Sequence, residues 1–270
     1  MEIPIVMAAF GTTTRARRTY DLLDAKIRET FPDHPVHWAF TSRMVRDRIE
    51  NKQGHKYKHP HQVLHELDQA GHEWAVVQSL HLVCGHEFDR LVDEVRGCEM
   101  RTSIGLPLLD SPDDYLDALK ALLAEVQAAE DEALILVGHG TDHAIWAAYP
   151  ALEGMARKHL HGRVFVGAVE GCPEAEQVVA DVVRAGFTRA CLVPFMLVAG
   201  IHFQEDLCAE EEDSWKSLFE ASGVEVRLES RGMGELPGIA NIFCRHIREA
   251  LDVIPDKVGG SCRSINSRRN

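Results

Sequence analysis

Two segments far apart in the chain read as copies of one pattern. LVCGHEF (82–88) and LVAGIHF (197–203) share Leu, Val, Gly and Phe at the same spacing. IVMAAFGT (5–12) likewise matches LILVGHGT (134–141): an apolar run, then glycine and threonine, then a helical pattern. An internal duplication constrains the fold strongly, because each half must be a unit that folds by the same rules.

Within each half, apolar runs of strand length alternate with amphipathic stretches of helix length. Strands are expected at 3–10, 36–40, 74–80 and 100–105, then again at 133–138, 163–169, 189–195 and 224–230. Helices are expected near 14–30, 43–50, 60–70 and 87–97, and then near 143–160, 173–185, 204–221 and 237–252. Alternation of this kind builds parallel α/β sheets. The fold expected is two similar Rossmann-like or flavodoxin-like α/β domains facing across a cleft. The first covers 1–128 and the second 129–255, with the break in the polar AAEDE stretch (128–132). Residues 256–270 carry little apolar content and read as a disordered tail or an expression remnant.

Charge excludes one class of partner. The chain of 270 residues carries a net charge of −13, and both halves are acidic, so neither offers the field a nucleic-acid backbone requires. Seven cysteines form no C-x-x-C pair, which argues against a disulfide framework and against a thiolate zinc site. The N-terminal apolar run begins without a basic segment ahead of it and reads as a strand, and no apolar stretch has the length of a membrane span. The expectation is a cytoplasmic protein with no membrane partner.

Ligands of open α/β sheets bind beyond the carboxyl ends of the strands. In the second half the first strand ends in GHGT with His139, the second in AVEGCP with Glu170, and the third in VAGIHFQED with His202. Three donors thus leave one sheet edge from three successive strands. Imidazole and carboxylate together suit Co, Ni, Fe or Zn. The first half lacks the set: Phe10 stands where His139 stands, and Glu87 aligns with His202. His81 and His86 lie on its third loop. His81 could face a ligand, but the plainer reading is a solvated loop histidine. Arg15, Arg17 and Arg18 open the first helix, and Arg43, Arg46 and Arg48 follow the second strand, where they could grip an anionic ligand. The run His55, His59, His61 and His65 looks metal-binding by composition. Beside Lys56 and Lys58 in a Gly- and Pro-bearing insert, it reads instead as solvated loop.

The pieces AAFGTT (8–13), AFTSRMVRDRI (39–49), QSLHLVCGHEFD (78–89), GHGT (138–141), VEG (169–171) and PFMLVAGIHF (194–203) together resemble the anaerobic cobalt chelatases of the CbiK type. These are sirohydrochlorin cobaltochelatases of the class II chelatase group. The resemblance implies two α/β domains with a tetrapyrrole between them, and metal held by His139, Glu170 and His202. It implies a substrate-facing set of Phe10, Gly11, Thr12 and Arg15 from the first strand and helix. Arg43, His81, Glu87 and Met196 complete that set. Ile201 takes a place where the family often has Asp. The reaction implied is Co²⁺ insertion into sirohydrochlorin or precorrin-2, with the metal as substrate and no permanent cofactor. Fe²⁺ or Ni²⁺ insertion into the same ring, or a carrier of tetrapyrrole or metal without turnover, are the alternatives that the residues leave open. The family tends toward homo-oligomers, and nothing in this chain specifies one.

Overall fold

The computed structural model describes residues 2–11, 18–42, 58–159, 162–200 and 203–255. The expected helix near 43–50 and the 256–270 tail lie outside the described residues. Strands β1 (Ile5–Ala9), β2 (Val36–Phe40), β3 (Trp74–Ser79) and β4 (Arg101–Gly105) form one parallel sheet in the order β2-β1-β3-β4. Strands β5 (Glu132–Gly140), β6 (Val164–Glu170), β7 (Arg189–Pro194) and β8 (Glu225–Leu228) repeat it as β6-β5-β7-β8. The copy extends to register. Ile5 stands opposite Val36 and Val76, and its counterpart Leu134 stands opposite Val164 and Cys191.

The central strands are buried on both faces, as their unbroken apolar sequences require. Side chains alternate across the sheet. Ile5, Met7 and Ala9 face one core, and Val6 and Ala8 face another. Helices α1 (Arg18–Thr30), α2 (Pro60–Gln69) and α3 (His86–Arg96) serve the first sheet. Val63, Leu64 and Leu67 of α2, with Leu91 and Val95 of α3, cover its outer face. Leu23 and Ile27 of α1 belong to the inner core.

Helix α4 (Pro112–Glu125) was not expected from the sequence. Its start carries a legible signal: the Ser111 hydroxyl accepts the Asp114 N–H, the Asp114 carboxylate accepts the Ser111 N–H at 2.7 Å, and Pro112 occupies the first turn. In the second half a 3₁₀ turn (Ala144–Ala147) leads into α5 (Ala148–His159), followed by α6 (Ala175–Arg184). The single helix expected at 204–221 is instead a π turn (Phe203–Leu207), an irregular stretch, and α7 (Trp215–Ala221). The run Glu210-Glu211-Glu212-Asp213 concentrates like charge there, and Ser214 restarts the helix by capping the Ser217 N–H at 3.1 Å.

The last helix, α8 (Pro237–Asp252), returns to the first sheet. His246 on α8 lies 3.0 Å from the Leu106 carbonyl just beyond β4, and Ile239, Phe243 and Ile247 enter the same core as Ile5 and Met7. That core also takes Leu119 and Leu122 of α4 and Leu134 and Leu136 of β5, so one continuous apolar cluster joins the two lobes. No helix among the described residues is long and apolar enough to cross a membrane.

Candidate functional site

In each sheet the chain switches direction beside its first strand, β1 or β5, and the crevice at such a switch point is where open α/β sheets bind ligands. Phe10 and Gly11 follow β1, His81 follows β3, and His139 and Gly140 close β5. The backbone is shaped alike at both places. Gly11 has φ 106° and donates its N–H to the Tyr20 Oη at 3.2 Å; Gly140 has φ 90° and donates to the Tyr149 Oη at 2.9 Å. Only glycine adopts that conformation without strain. At position 140 a side chain is also excluded sterically, since a Cβ would stand 1.7 Å from the Glu170 carbonyl oxygen.

That close approach sets side by side the two strand ends that carry the candidate metal ligands. Gly140 and Glu170 are direct register partners, and His139 is one residue before the pair. Both His139 and Glu170 are exposed at the carboxyl edge, while Glu132–Gly138 of β5 and Val164–Ala168 of β6 are buried. His202 lies outside the described residues. So do Thr12, Arg15, Arg17, Arg43, Arg46 and Arg48; Arg18 is exposed at the start of α1.

Other expected site residues are placed as follows. Phe10 presents an aromatic ring at 47% exposure. Glu87 sits in the first turn of α3 and pairs with Arg90. Met196 is 8% exposed and packs in the second lobe's own core with Ile135 and Val137, so its side chain serves packing and not the cleft. His81 is not a solvated loop histidine. Its Nδ1 lies 2.9 Å from the Ser79 hydroxyl, and its Nε2 is buried with no hydrogen-bond partner among the described residues. Burial pushes its pKa down to about 4, so the ring is neutral near pH 7.

The loops beyond the two sheets meet. His86 Nε2 lies 2.9 Å from Asp142 Oδ1, and His143 Nε2 lies 3.5 Å from Asp89 Oδ2. The two imidazoles stand edge to face at 4.9 Å. His143 Nδ1 accepts the Ile145 N–H, so Nε2 carries the proton directed at Asp89. Asp142 and His143 were not singled out from sequence, and neither was Trp146, whose ring is 44% exposed a few residues from His139. An apolar AIWAAY stretch shortly after the strand end that carries the candidate ligand His139 is the signal that marks Trp146.

Beside Gly171 is a cavity of about 790 Å³ whose walls include Glu174, Glu176, Glu205, Asp206, Glu211 and Asp213. Walls of one sign concentrate counter-ions, so this side of the second lobe attracts cations and repels a carboxylate-rich ring.

Two duplicated α/β lobes, joined at their carboxyl edges with nitrogen and oxygen donors at adjacent strand ends, form the fold of the metal chelatases. The structure superposes on SirB from Bacillus subtilis with Fe³⁺ at a TM-score of 0.63, covering 93% of this chain and 96% of that one at 16% identity. The chain belongs to the CbiK family of cobalt chelatases, whose family model matches residues 4–252. It is 32% identical over 260 residues to the sirohydrochlorin cobaltochelatase of Salmonella typhimurium, covering 94% of this chain and 98% of that protein. It is 33% identical over 263 residues to the sirohydrochlorin cobaltochelatase CbiKC of Nitratidesulfovibrio vulgaris, covering 93% and 92%.

Proposed function

We propose that this protein inserts Co²⁺ into sirohydrochlorin, with His139, Glu170 and His202 holding the metal at the carboxyl edge of the second sheet. The observation that carries the site is the register of Gly140 with Glu170, which puts an imidazole and a carboxylate on neighbouring strand ends. Metal insertion exchanges bound water for four pyrrole nitrogens and removes two N–H protons. The protein ligands must therefore hold the ion while leaving coordination positions open to the incoming ring. Proton acceptance falls to the histidines or Glu170 at the metal side. His81 is a poor acceptor, because its ring is held neutral down to about pH 4; it serves the ring's other side as a polar contact through the buried Nε2. The exposed rings of Phe10, just beyond β1, and Trp146, in the turn after β5, offer flat apolar surface to a macrocycle. Cations enter from the acidic side of the second lobe, and arginines of the first lobe pair with the peripheral carboxylates.

The test is anaerobic incubation of sirohydrochlorin with Co²⁺, followed by absorbance over many turnovers. His139→Ala and His202→Ala should abolish insertion with unchanged circular dichroism. Normal turnover by both variants, or stoichiometric binding without turnover by the wild type, overturns the reading. Fe²⁺ and Ni²⁺ measured in the same preparation rank the metals.

A further inference from the structure

A second set of donors lies away from the cleft, in the outer helical layer of the first lobe. His59 caps α2, His61 is in its first turn, and Glu94 is near the end of α3. His61 Nδ1 lies 2.5 Å from Glu94 Oε1, and His59 Nδ1 lies 4.0 Å from the same oxygen. One donor atom from each of the three residues falls within 4.8 Å of the others. The expectation of solvated loop fails for His59, which is 7% exposed, and His61 and His65 are on α2; His55 lies outside the described residues.

The arrangement is built, not incidental to a flexible surface. Pro60 separates the two histidines and fixes the backbone between them. Their rings stack at 5.5 Å with an interplanar angle of 18°, both beside one carboxylate. The His61 N–H also donates to Glu94 Oε1 at 3.0 Å, which anchors the carboxylate to the start of α2. The ammonium of Lys58, adjacent in sequence, is held 2.5 Å from Glu66.

From this geometry we infer that His59, His61 and Glu94 form a second divalent-metal site, separate from His139 and Glu170, that ties α2 to α3. Donors on a tetrahedral zinc ion stand roughly 3.3 Å apart, from metal–ligand distances near 2.0–2.1 Å. The observed spacings bracket that value, and the side chain of His61, 54% exposed, has room to rotate. Two imidazole nitrogens and one carboxylate oxygen select Zn²⁺, Co²⁺ or Ni²⁺ over Mg²⁺ and Ca²⁺, which take oxygen ligands. The exposed side of His61 leaves a position to solvent, so the ion exchanges readily. Metal ligation requires unprotonated donor atoms, so zinc binding weakens as the pH falls.

The site does not depend on the reading of the cleft, and its test separates the two. Full-length protein is dialysed against micromolar Zn²⁺, and bound zinc is counted by mass spectrometry. His61→Ala and Glu94→Gln, both at positions that are not fully buried, should each lose one zinc per chain relative to wild type. His65→Ala, an exposed histidine one turn along, should lose none. Zinc should still raise the thermal midpoint of His139→Ala and should raise that of His61→Ala less than that of wild type. Wild-type zinc counts in both His61→Ala and Glu94→Gln overturn the site. An equal loss in His65→Ala also overturns it, by showing general histidine adsorption.

Discussion

His86 and Asp142, at the carboxyl edges of different lobes, stand 2.9 Å apart, Nε2 to Oδ1. With His143 and Asp89 they form a reciprocal clasp three residues from His139. The exposure of its members, 52% for His86 and 92% for Asp142, limits what it contributes to stability. Ion pairs of this kind contribute about 0–1 kcal/mol. The lobes are held together by their shared core, and the clasp sets how their loops meet. Asp142→Asn should leave the urea midpoint nearly unchanged. It should raise KM for sirohydrochlorin by no more than about fivefold, the equivalent of 1 kcal/mol, with kcat held. A large fall in kcat with unchanged KM would place Asp142 in the chemistry instead.

Tyr149 and Tyr20 make the same contact in the two halves, yet only Tyr149 supports the strand end that carries the proposed ligand His139. Burial raises the pKa of both phenols, the accepted glycine N–H lowers it less, and both stay protonated throughout the working range. Tyr149→Phe and Tyr20→Phe each strip an acceptor from a glycine N–H, and each should cost about 1–2 kcal/mol in denaturant unfolding. Only Tyr149→Phe should weaken Co²⁺ binding, read by titration of the free protein. Equal weakening by Tyr20→Phe would mean that the loss is general and not positional.

The paired contact also shows where sequence reading reaches its limit. Strands were legible because parallel strands buried on both faces must be continuously apolar, as β1 and β5 are. The equal spacing of Gly11 to Tyr20 and of Gly140 to Tyr149 is present in the sequence, but spacing alone does not say that the phenol reaches the glycine N–H. Helix α4 carries its own start signal in Ser111, Pro112 and Asp114, yet it lies between β4 and the break at 128–132, where the sequence pattern assigns no element. Other features could not be seen along the chain. Nothing local to Glu94 reports that two histidines pack beside it, and nothing local to His86 reports Asp142, since tertiary packing brings these pairs together. The return of α8 to the first sheet is likewise invisible to periodicity, which identifies the buried stripe of a helix but not the surface that covers it.

His81 predicts an acid sensitivity. Its folded pKa is about 4, against an ordinary value of 6.5, and burial is the cause. Between those values the unfolded chain binds the proton and the folded chain does not, so stability falls as the pH drops from about 6.5 to 4. The full effect is on the order of 3 kcal/mol. His81→Asn keeps an amide near the Ser79 hydroxyl and cannot titrate. Its unfolding free energy should vary less between pH 7 and pH 4 than that of the wild type, measured by urea melts across the range. Parallel pH curves for the two proteins would remove His81 as the cause.

Asp114 joins the start of α4 to the returning helix α8. Its carboxylate accepts from the Ser111 N–H and hydroxyl at 2.7 Å each. It lies 2.6 Å from the Arg245 guanidinium and 3.0 Å from His246 Nε2, and it is 2% exposed. Burial alone would raise its pKa, but the Ser111 donors and His246 outweigh burial and hold it below the ordinary carboxylate range. Its stabilisation is therefore present above the ordinary carboxylate pKa and is lost as the pH falls through the folded value. Asp114→Ala leaves His246, itself 4% exposed, without its carboxylate and removes the carboxylate half of the α4 capping box, while Ser111 still caps the residue-114 N–H. Removing one partner of a buried pair costs about 3–5 kcal/mol. The urea midpoint should fall accordingly at pH 7, and the difference from wild type should shrink in acid as the wild-type carboxyl protonates. A loss below about 1 kcal/mol at pH 7 would show that α8 is held to the first lobe without help from the Asp114 carboxylate.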